Sequence, residues 1–359
     1  MEFDEPSENR MMRAYSIMNR LGRDSQNYLS LHEESEFYFG SEVDGLVAYS
    51  LSGKKAMSLG DPVCRAADLA KLTQEYVQFC RANGWKPVFN SVSREMVETL
   101  ESLDLEVIKY GEEPILRLSE YSLAGKNRSA LRRNLSKVRR SGATLIEYCP
   151  QQNRDDELEQ KIDDLARRWQ ANKGRNLGYT VGSLDFDEPY DRRFFLTIGE
   201  DGNLLTALSL LPYEEANGYC VDVMYRDFDA VTGAMEHAII ESAFQLKDDG
   251  VEDLSLGIAP LAGIDPSKPG VSRTEKIMNA IFHEMDAEYN FKGLYRFKKK
   301  FGPNIWKPRY LAYDKRVSLP GLALSLNHTK RGSGSLGLYF RYKYFGMAVA
   351  LGLRRVRED

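Results

Sequence analysis

The sequence has few of the residues that bind metal ions or form disulfide bonds. Four cysteines and four histidines occur among 359 residues. No two cysteines have the Cys-x-x-Cys spacing, and the histidines show no metal-ligand spacing among themselves or with the cysteines. Widely separated cysteines are typical of reduced structural thiols in a cytosolic protein. We therefore expect no bound metal ion.

The sequence also lacks a long apolar run. The longest one, residues 344–353, is about half of the ~20 residues that a membrane-spanning helix needs. The N-terminal segment, residues 1–20, is acidic and then mixed in charge, without the apolar centre of a signal peptide. We expect that the chain as given does not cross a membrane.

The composition itself is that of an ordinary globular protein. Hydrophobic residues make up 42% and charged residues 28% of the chain, and the formal net charge is −4. These values exclude collagen-like, disulfide-scaffold and wholly disordered proteins, and the length suggests two domains. Because the net charge is small, any affinity for nucleic acid or membranes must come from local patches.

Strand and helix patterns alternate along the chain, and they do so twice. In the first half we predict strands at 36–40, 45–51, 55–59, 87–92, 106–109 and 115–118, and helices at 68–82 and 95–103. In the second half we predict helices at 126–141, 155–171, 233–247 and 272–286, and strands at 143–147, 193–198, 204–211, 218–224, 254–256 and 307–313. These mixed patterns predict an α/β (α+β) protein with two related domains in tandem, residues 1–120 and 121–330.

A strongly basic segment lies in the predicted helix at 126–141. Leu131, Leu135 and Val138 have helical spacing and form one apolar face. Positions 126–140 also hold seven basic residues and no acidic residue: Lys126, Arg128, Arg132, Arg133, Lys137, Arg139 and Arg140. Solvated helix faces usually mix charges and so gain ion pairs, which favours an anionic partner over a merely solvated face. Phosphates of RNA and phosphates of lipid headgroups fit equally well.

A second basic segment covers residues 295–310. Its basic residues are interleaved with aromatic ones: Arg296, Lys298, Lys299, Lys300, Lys307 and Arg309 with Phe297, Phe301 and Trp306. Basic side chains bind phosphates, and aromatic side chains stack on bases or lie at a headgroup interface. We interpret Phe297 and Phe301 as core residues and the lysines as functional.

One carboxylate, Asp222, interrupts an apolar strand between Val221 and Val223. An unpaired charge at such a position is costly, so this carboxylate is either capped by its neighbours or retained for function. Strand-end carboxylates in α/β domains commonly face ligand crevices. Asp222 is therefore a candidate site residue.

The last segment, residues 331–359, predicts a basic amphipathic helix. Its candidate membrane-contacting residues are Phe340, Phe345, Arg354 and Arg355. A basic helix with many aromatic and aliphatic residues suits an anionic membrane surface. Docking on the body of the protein explains the pattern equally well, because such apolar surface is unusual in water.

An ordered series of motifs resembles a known family. The series is GDPV at 60–63, YSLAGK at 121–126 with LRRN at 131–134, Trp169, VDVM at 221–224, GAM at 233–235, LGIAPL at 256–261, YNFKGL at 289–294 with RFKKKF at 296–301, and RYLAY at 309–313. Over about residues 20–315, the chain resembles the cytosolic catalytic region of bacterial phosphatidylglycerol aminoacyltransferases. These form the multiple peptide resistance factor or lysyl/alanyl-phosphatidylglycerol synthase family.

This resemblance implies a tandem acetyltransferase-like (GNAT) fold whose C-terminal domain transfers an amino acid from aminoacyl-tRNA to a hydroxyl of phosphatidylglycerol. The reaction changes the charge of membrane lipids and gives resistance to antimicrobial peptides, and it takes place at the inner face of the cell membrane on a peripheral, cytoplasmic domain. The implied partners are aminoacyl-tRNA and the anionic membrane. Family members often carry a large N-terminal transmembrane flippase region, so this chain is either an excised catalytic part or a stand-alone relative.

The resemblance also implies roles for particular residues. Asp222 matches the family's site aspartate, and either Lys298 or Lys300 matches its site lysine. Since an aminoacyl ester is already activated, its transfer needs positioning, removal of a proton from the alcohol and stabilisation of an oxyanion, but no cofactor. The residues expected to hold tRNA or lipid phosphates are Lys126, Arg128, Arg132, Arg133, Lys137 and Arg296.

The chain departs from the family pattern at one position. Many relatives have an arginine directly after the Asp-aliphatic-Met motif, whereas this sequence has Tyr225 there and Arg226 one residue later. On a regular strand this shift moves the guanidinium to the opposite face. Either a bulge returns Arg226 to the site as a catalytic residue, or the acceptor differs from phosphatidylglycerol.

Three alternatives remain open. An acyl-CoA acetyltransferase is disfavoured because the loop at 230–235 lacks the leading Arg or Gln and the final small residue of a pyrophosphate-binding loop. A soluble transferase of the same superfamily with a non-lipid acceptor, and a non-catalytic membrane- or RNA-binding module, would both use the same basic surfaces. The sequence does not identify the amino acid transferred, because that selectivity depends on pocket shape.

Overall fold

The computed structural model describes residues 7–31, 35–173, 184, 186–187, 190–213, 217–264, 290–318 and 322. Their contacts form two compact units. Unit 1 consists of the described residues of Met1–Glu113, Ile258–Tyr295 and Lys307–Asp359, and unit 2 consists of those of Pro114–Gly257 and Arg296–Trp306. The units differ from the predicted contiguous ranges 1–120 and 121–330, because the chain returns to unit 1 after Gly257. The predicted helices at 272–286 and 331–359 lie outside the described residues.

The helices and strands follow the predicted alternation. The helices are α1 (Ser7–Leu21), α2 (Leu69–Ala82), α3 (Val97–Ser102), α4 (Ser129–Arg140), α5 (Asp156–Lys173), α6 (Ala234–Asp248) and α7 (Phe291–Lys300). The strands are β1 (Glu36–Phe39), β2 (Gly45–Ser52), β3 (Lys55–Leu59), β4 (Val63–Cys64), β5 (Lys86–Val92), β6 (Leu105–Arg117), β7 (Thr144–Tyr148), β8 (Arg193–Ile198), β9 (Leu204–Tyr213), β10 (Gly218–Arg226), β11 (Asp253–Ser255), β12 (Ala259–Pro260) and β13 (Ile305–Asp314). A mixed α/β fold is confirmed.

Unit 1 is built on a mixed sheet. Strand β2 pairs with β1 and β3 in antiparallel fashion, β3 pairs with β5 in parallel, and β5 pairs with β13 in antiparallel fashion. The parallel β3–β5 pair needs a crossover, which contains α2. Helix α2 buries Leu72, Tyr76 and Cys80 at helical spacing, and Tyr76 contacts the ring of Phe89 on β5 edge-on. This aromatic packing forms the core of unit 1.

Unit 2 is also built on a mixed sheet. Strand β11 pairs in parallel with β10 and in antiparallel fashion with the end of β6, while β7, β8, β9 and β10 form consecutive antiparallel pairs. Successive side chains of β8 point to opposite faces of the sheet and therefore pack in two different cores. Phe195 packs with residues of α4 and α6, whereas Phe194 packs with residues of α5. The helices of unit 2 therefore cover both faces of its sheet.

Two predicted strands, 106–109 and 115–118, form the single strand β6. Gly111 and Pro114 lie between the two predicted segments, and the strand continues through both. Gly111 has a packing role instead, because a Cβ atom there would lie 2.6 Å from the carbonyl oxygen of Ala259 on β12. Helices α1 and α7 were not among the predicted elements.

Candidate functional site

A β-bulge in β10 positions Asp222. Val221 pairs with Leu210 of β9 and Met224 pairs with Leu208, so two residues of β10 face the single residue Ser209. An extra residue of this kind interrupts the hydrogen-bond ladder and redirects side chains, and it is frequent beside active sites. The bulge thus accounts for the carboxylate in this apolar strand.

The Asp222 side chain is fully buried and has two polar neighbours. The Ser209 hydroxyl donates a hydrogen bond of 3.2 Å to Asp222 Oδ2, and Nε of Arg192 lies 4.0 Å from the same oxygen. The Arg192 side chain is itself only 8% exposed. A buried guanidinium therefore lies beside a buried carboxylate. Asp222 is therefore capped by its neighbours, one of the two possibilities that the sequence left open.

Helix α7 separates the two candidate lysines. Lys298 is 5% exposed, and its Nζ lies 3.4 Å from the point that a Cβ atom of Gly257 would occupy. The carbonyl oxygen of Val221, the residue before Asp222, lies 3.6 Å from that same point. Lys300 instead forms a 2.8 Å ion pair with Glu236, and its side chain is 42% exposed. Of the two lysines, Lys298 is the one beside the bulge.

The aromatic residues of α7 belong to the core, as interpreted from the sequence. Phe301 is fully buried and Phe297 packs against the same cluster, with their rings 5.2 Å apart. Arg296 is exposed. In the second basic segment, Arg309 is buried in unit 1 and is described below. The segment is therefore not one continuous cationic surface.

The bulge does not bring Arg226 to Asp222. Ser209 lies between Leu208 and Leu210, which face the core with α4 and α6, so Ser209 and Asp222 face the other side of the sheet. After the bulge, Tyr225 faces that side too and contacts the ring of Trp169 edge-on. By alternation the next residue, Arg226, lies on the opposite face.

Helix α4 has the predicted apolar and basic faces. Leu131, Leu135 and Val138 are buried. Exposed cationic side chains without an ion pair in the described part of the chain are Lys126, Arg133, Lys137 and Arg140. Phosphate binding by Lys126, Arg133 and Lys137 stays a prediction.

Other basic residues of this segment have structural contacts. Arg128 donates to the carbonyl of Gly302 at 2.8 Å, and Arg132 donates to the carbonyl of Gly125 at 2.7 Å. Arg139 pairs with Glu241 of α6 at 2.6 Å. Arg128 and Arg132 therefore hold the loop before α4, which reduces their availability for phosphate.

Several expectations fall outside what the structure describes. Phe340, Phe345, Arg354 and Arg355 are not described residues. Among residues that are described, none of the helices has the length and hydropathy that spanning a bilayer requires. The same residues include no group of three or more His, Cys, Asp or Glu side chains placed to hold a metal ion.

Sequence reasoning missed Arg192 and Ser209. Arg192 directly precedes β8 and is followed by Arg193, and nothing in the sequence distinguishes the two arginines. Arg193 pairs with Glu147 and Asp249, whereas Arg192 faces Asp222. Ser209 offered a signal, because it is a hydroxyl residue within the apolar stretch of β9.

Unit 1 contains a separate buried polar cluster. Arg309 of β13 pairs with Asp24 at 2.5 Å and with Glu113 of β6. Asp61, from the GDPV motif, accepts a 2.8 Å hydrogen bond from the Ser93 amide. Burial and the nearby Asp24 carboxylate raise the pKa of Asp61 to about 7. These contacts give Arg309 a structural role.

Two solved structures share this mixed α/β fold. The L-PGS structure from Bacillus licheniformis has a TM-score of 0.77 at 22% identity and covers 88% of this chain and 95% of that one. The C-terminal domain of a lysylphosphatidylglycerol synthetase from Agrobacterium fabrum has a TM-score of 0.78 at 23% identity and covers 92% and 99%. Both structures therefore share the mixed α/β fold of this chain.

The family is shown by the sequence match. The family model described as "Phosphatidylglycerol lysyltransferase, C-terminal" matches residues 15–313, so the chain belongs to this family. A phosphatidylglycerol lysyltransferase from Bacillus subtilis (strain 168) is 24% identical over 308 residues, which are 86% of this chain and 35% of that protein. The chain thus spans about a third of the length of the curated relatives it matches.

Proposed function

We propose that unit 2 transfers lysine from lysyl-tRNA to a hydroxyl group of phosphatidylglycerol. The family membership supports this proposal, and the lysine is that of the relatives' name. The observation that carries it is the position of the buried Lys298, whose Nζ lies 3.4 Å from the Cβ point of Gly257, 3.6 Å from which lies the carbonyl oxygen of Val221, the residue before the buried Asp222.

These two residues provide the chemistry that the reaction needs. The lipid hydroxyl oxygen forms a bond to the ester carbonyl carbon while Asp222 accepts the hydroxyl proton. Lys298 stabilises the oxyanion that develops on the carbonyl oxygen. The bond to the tRNA ribose oxygen then breaks, and that oxygen takes the proton from Asp222. Atoms and charges balance without another reactant, because the ester is already activated.

Arg192 provides a guanidinium in place of the arginine that many relatives have at the position of Tyr225. In this proposal its guanidinium, from the residue before β8, holds the Asp222 carboxylate at 4.0 Å. The departure at Tyr225 is then compatible with phosphatidylglycerol as the acceptor. Arg226 has no role in the proposed step, since it lies on the other face of the sheet.

The partners follow from the exposed charges. Lys126, Arg133 and Lys137 of the α4 segment are proposed to bind tRNA phosphates, with Arg296 as a further phosphate contact. The segment 331–359 is proposed to hold the domain on the inner face of the membrane, beside a transmembrane flippase region. The tandem acetyltransferase-like organisation also stays a proposal; it is supported by a register shift in unit 1, where Ser91 of β5 lies between the Tyr310–Val92 and Leu311–Asn90 pairs.

The test is a transfer assay. The protein is incubated with a mixture of radiolabelled aminoacyl-tRNAs and vesicles that contain phosphatidylglycerol, and the label in the lipid phase is measured. We expect labelled lysine in the lipid, and at least a 100-fold lower rate for Asp222→Asn and for Lys298→Met. Lys300→Met is the matched control, because it removes an exposed lysine from the same helix.

The outcomes separate the alternatives. Label that stays on tRNA for every amino acid contradicts lipid transfer. Full tRNA and vesicle binding with no transfer to any acceptor indicates a binding module instead. Transfer to a water-soluble acceptor, but not to lipid, indicates a soluble transferase.

A further inference from the structure

The bulge in β10 creates a hydrogen-bonding need that Ser209 meets. In a regular antiparallel pair, each amide of β10 that faces β9 bonds to a carbonyl of that strand. At the bulge the register moves from the Val221–Leu210 pair to the Met224–Leu208 pair. The amide of Val223 bonds instead to the Ser209 hydroxyl oxygen, at 3.1 Å.

The same hydroxyl also acts as a donor. Its hydrogen bond to Asp222 Oδ2 measures 3.2 Å, and Ser209 is fully buried. A serine hydroxyl has one proton to donate and can accept at its lone pairs. The Ser209 hydroxyl therefore donates to the Asp222 carboxylate and accepts from the amide of Val223, which belongs to the same bulge as Asp222.

From this double contact we infer that Ser209 is a positioning residue for Asp222. It holds Asp222 Oδ2 relative to the bulged backbone and so fixes the orientation of the carboxylate. Ser209 does not touch the reacting atoms. The expected effect of Ser209 on kcat rests on the proposed function. Its expected effect on the titration midpoint of Asp222 does not.

The kinetic test compares two hydroxyl deletions in β9. Ser209→Ala is expected to lower kcat by roughly 10- to 100-fold with KM for lysyl-tRNA unchanged, because misplacement of a catalytic group affects the chemical step. Ser209→Thr keeps the hydroxyl and is expected to recover most of the rate. Thr206→Val is the matched control. It removes a fully buried hydroxyl that bonds at 2.8 Å to Thr197, away from Asp222.

A double-mutant cycle separates positioning from a general loss of stability. If Ser209 acts through Asp222, Ser209→Ala has no further effect on kcat in an Asp222→Asn background. Equal losses of kcat in both backgrounds, or equal losses for Ser209→Ala and Thr206→Val, would overturn the inference. An increase in KM with an unchanged kcat would also overturn it.

An NMR titration tests the inference without any activity. A hydrogen bond to an ionised carboxylate lowers its pKa, so the carbon-13 titration midpoint of Asp222 is expected to rise in Ser209→Ala. Arg192, whose guanidinium faces the same oxygen, is unchanged in this variant. An unchanged midpoint contradicts the inference. If wild-type protein transfers no lysine but the midpoint rises, the proposed function fails and the positioning role stands.

Discussion

The ammonium nitrogen of Lys298 lies 3.4 Å from the point that a Cβ atom of Gly257 would occupy. Gly257 has a φ of +72°, a conformation that costs other residues about 1–2 kcal/mol. The glycine therefore allows the turn after β11 and leaves space beside the lysine. If Lys298 stabilises the oxyanion as proposed, the substrate oxygen approaches through that space.

We predict that Gly257→Ala impairs transfer beyond its effect on stability. The added methyl group fits at van der Waals distance but occupies the space beside the Lys298 ammonium. We expect at least a 10-fold loss of kcat/KM in the lipid-transfer assay. Gly250→Ala is the control, because Gly250 has a φ of +83° and open space around the missing Cβ atom. Equal activity of the two variants at matched stability would contradict the role of that space.

A second prediction concerns Arg192. Removing one partner of a buried charge pair leaves the other charge uncompensated, so Arg192→Gln is expected to reduce kcat by about 100-fold. Arg192→Lys keeps the charge without the planar guanidinium, so its kcat should lie between those of wild type and Arg192→Gln. The adjacent Arg193→Gln serves as control, since Arg193 pairs with Glu147 at 2.6 Å. It should lower the unfolding free energy but leave kcat within about threefold of wild type.

Local patterns predicted much of this fold, while the site depends on contacts between distant segments. The spacing of Leu131, Leu135 and Val138 was sufficient to predict α4 and its buried face. The sequence raised a bulge near Asp222 as one of two alternatives but could not place it, because its contacts involve Ser209 on the neighbouring strand. A motif of basic residues likewise cannot tell the buried Lys298 from the exposed Lys300, since their difference arises from what α7 packs against.

The same limit applies to Arg309. The sequence grouped it with the lysines of α7 as part of a phosphate-binding segment. In the structure its guanidinium pairs with Asp24 and Glu113, which are far from it in the sequence. Counting charges along the chain identified the surface of α4 correctly as exposed and basic. It failed at Arg309 because pairing of charges is decided by tertiary structure.

A third prediction concerns binding of tRNA to α4. Each phosphate contact contributes about one to the slope of log affinity against log salt concentration. Arg133→Ala and Lys137→Ala are each expected to weaken tRNA binding and to reduce that slope by about one. Arg139→Ala is the control, because Arg139 is paired with Glu241. A filter-binding titration at several salt concentrations measures the slope, and unchanged slopes for both variants would exclude α4 as the tRNA contact.

The last prediction concerns Asp61 and the stability of unit 1. The pKa of its carboxyl is raised from an ordinary 3.8 to about 7, mainly by burial and also by the nearby Asp24. Below pH 3.8 this group is protonated in both the folded and the unfolded state, so its contribution to stability is fully present there. Between that pH and about 7 the unfolded chain loses the proton and the folded protein retains it, so stability falls as pH rises.

Asp61→Asn removes this penalty and keeps an oxygen that accepts the Ser93 amide. We expect the variant to be more stable than wild type at pH 8, on the order of a few kcal/mol, with the difference vanishing towards pH 4. Asp104→Asn is the opposite control, because the ion pair with Lys315 lowers the pKa of Asp104. Urea unfolding at a series of pH values measures both differences. A difference between Asp61→Asn and wild type that does not change with pH would show that Asp61 carries no buried proton at neutral pH.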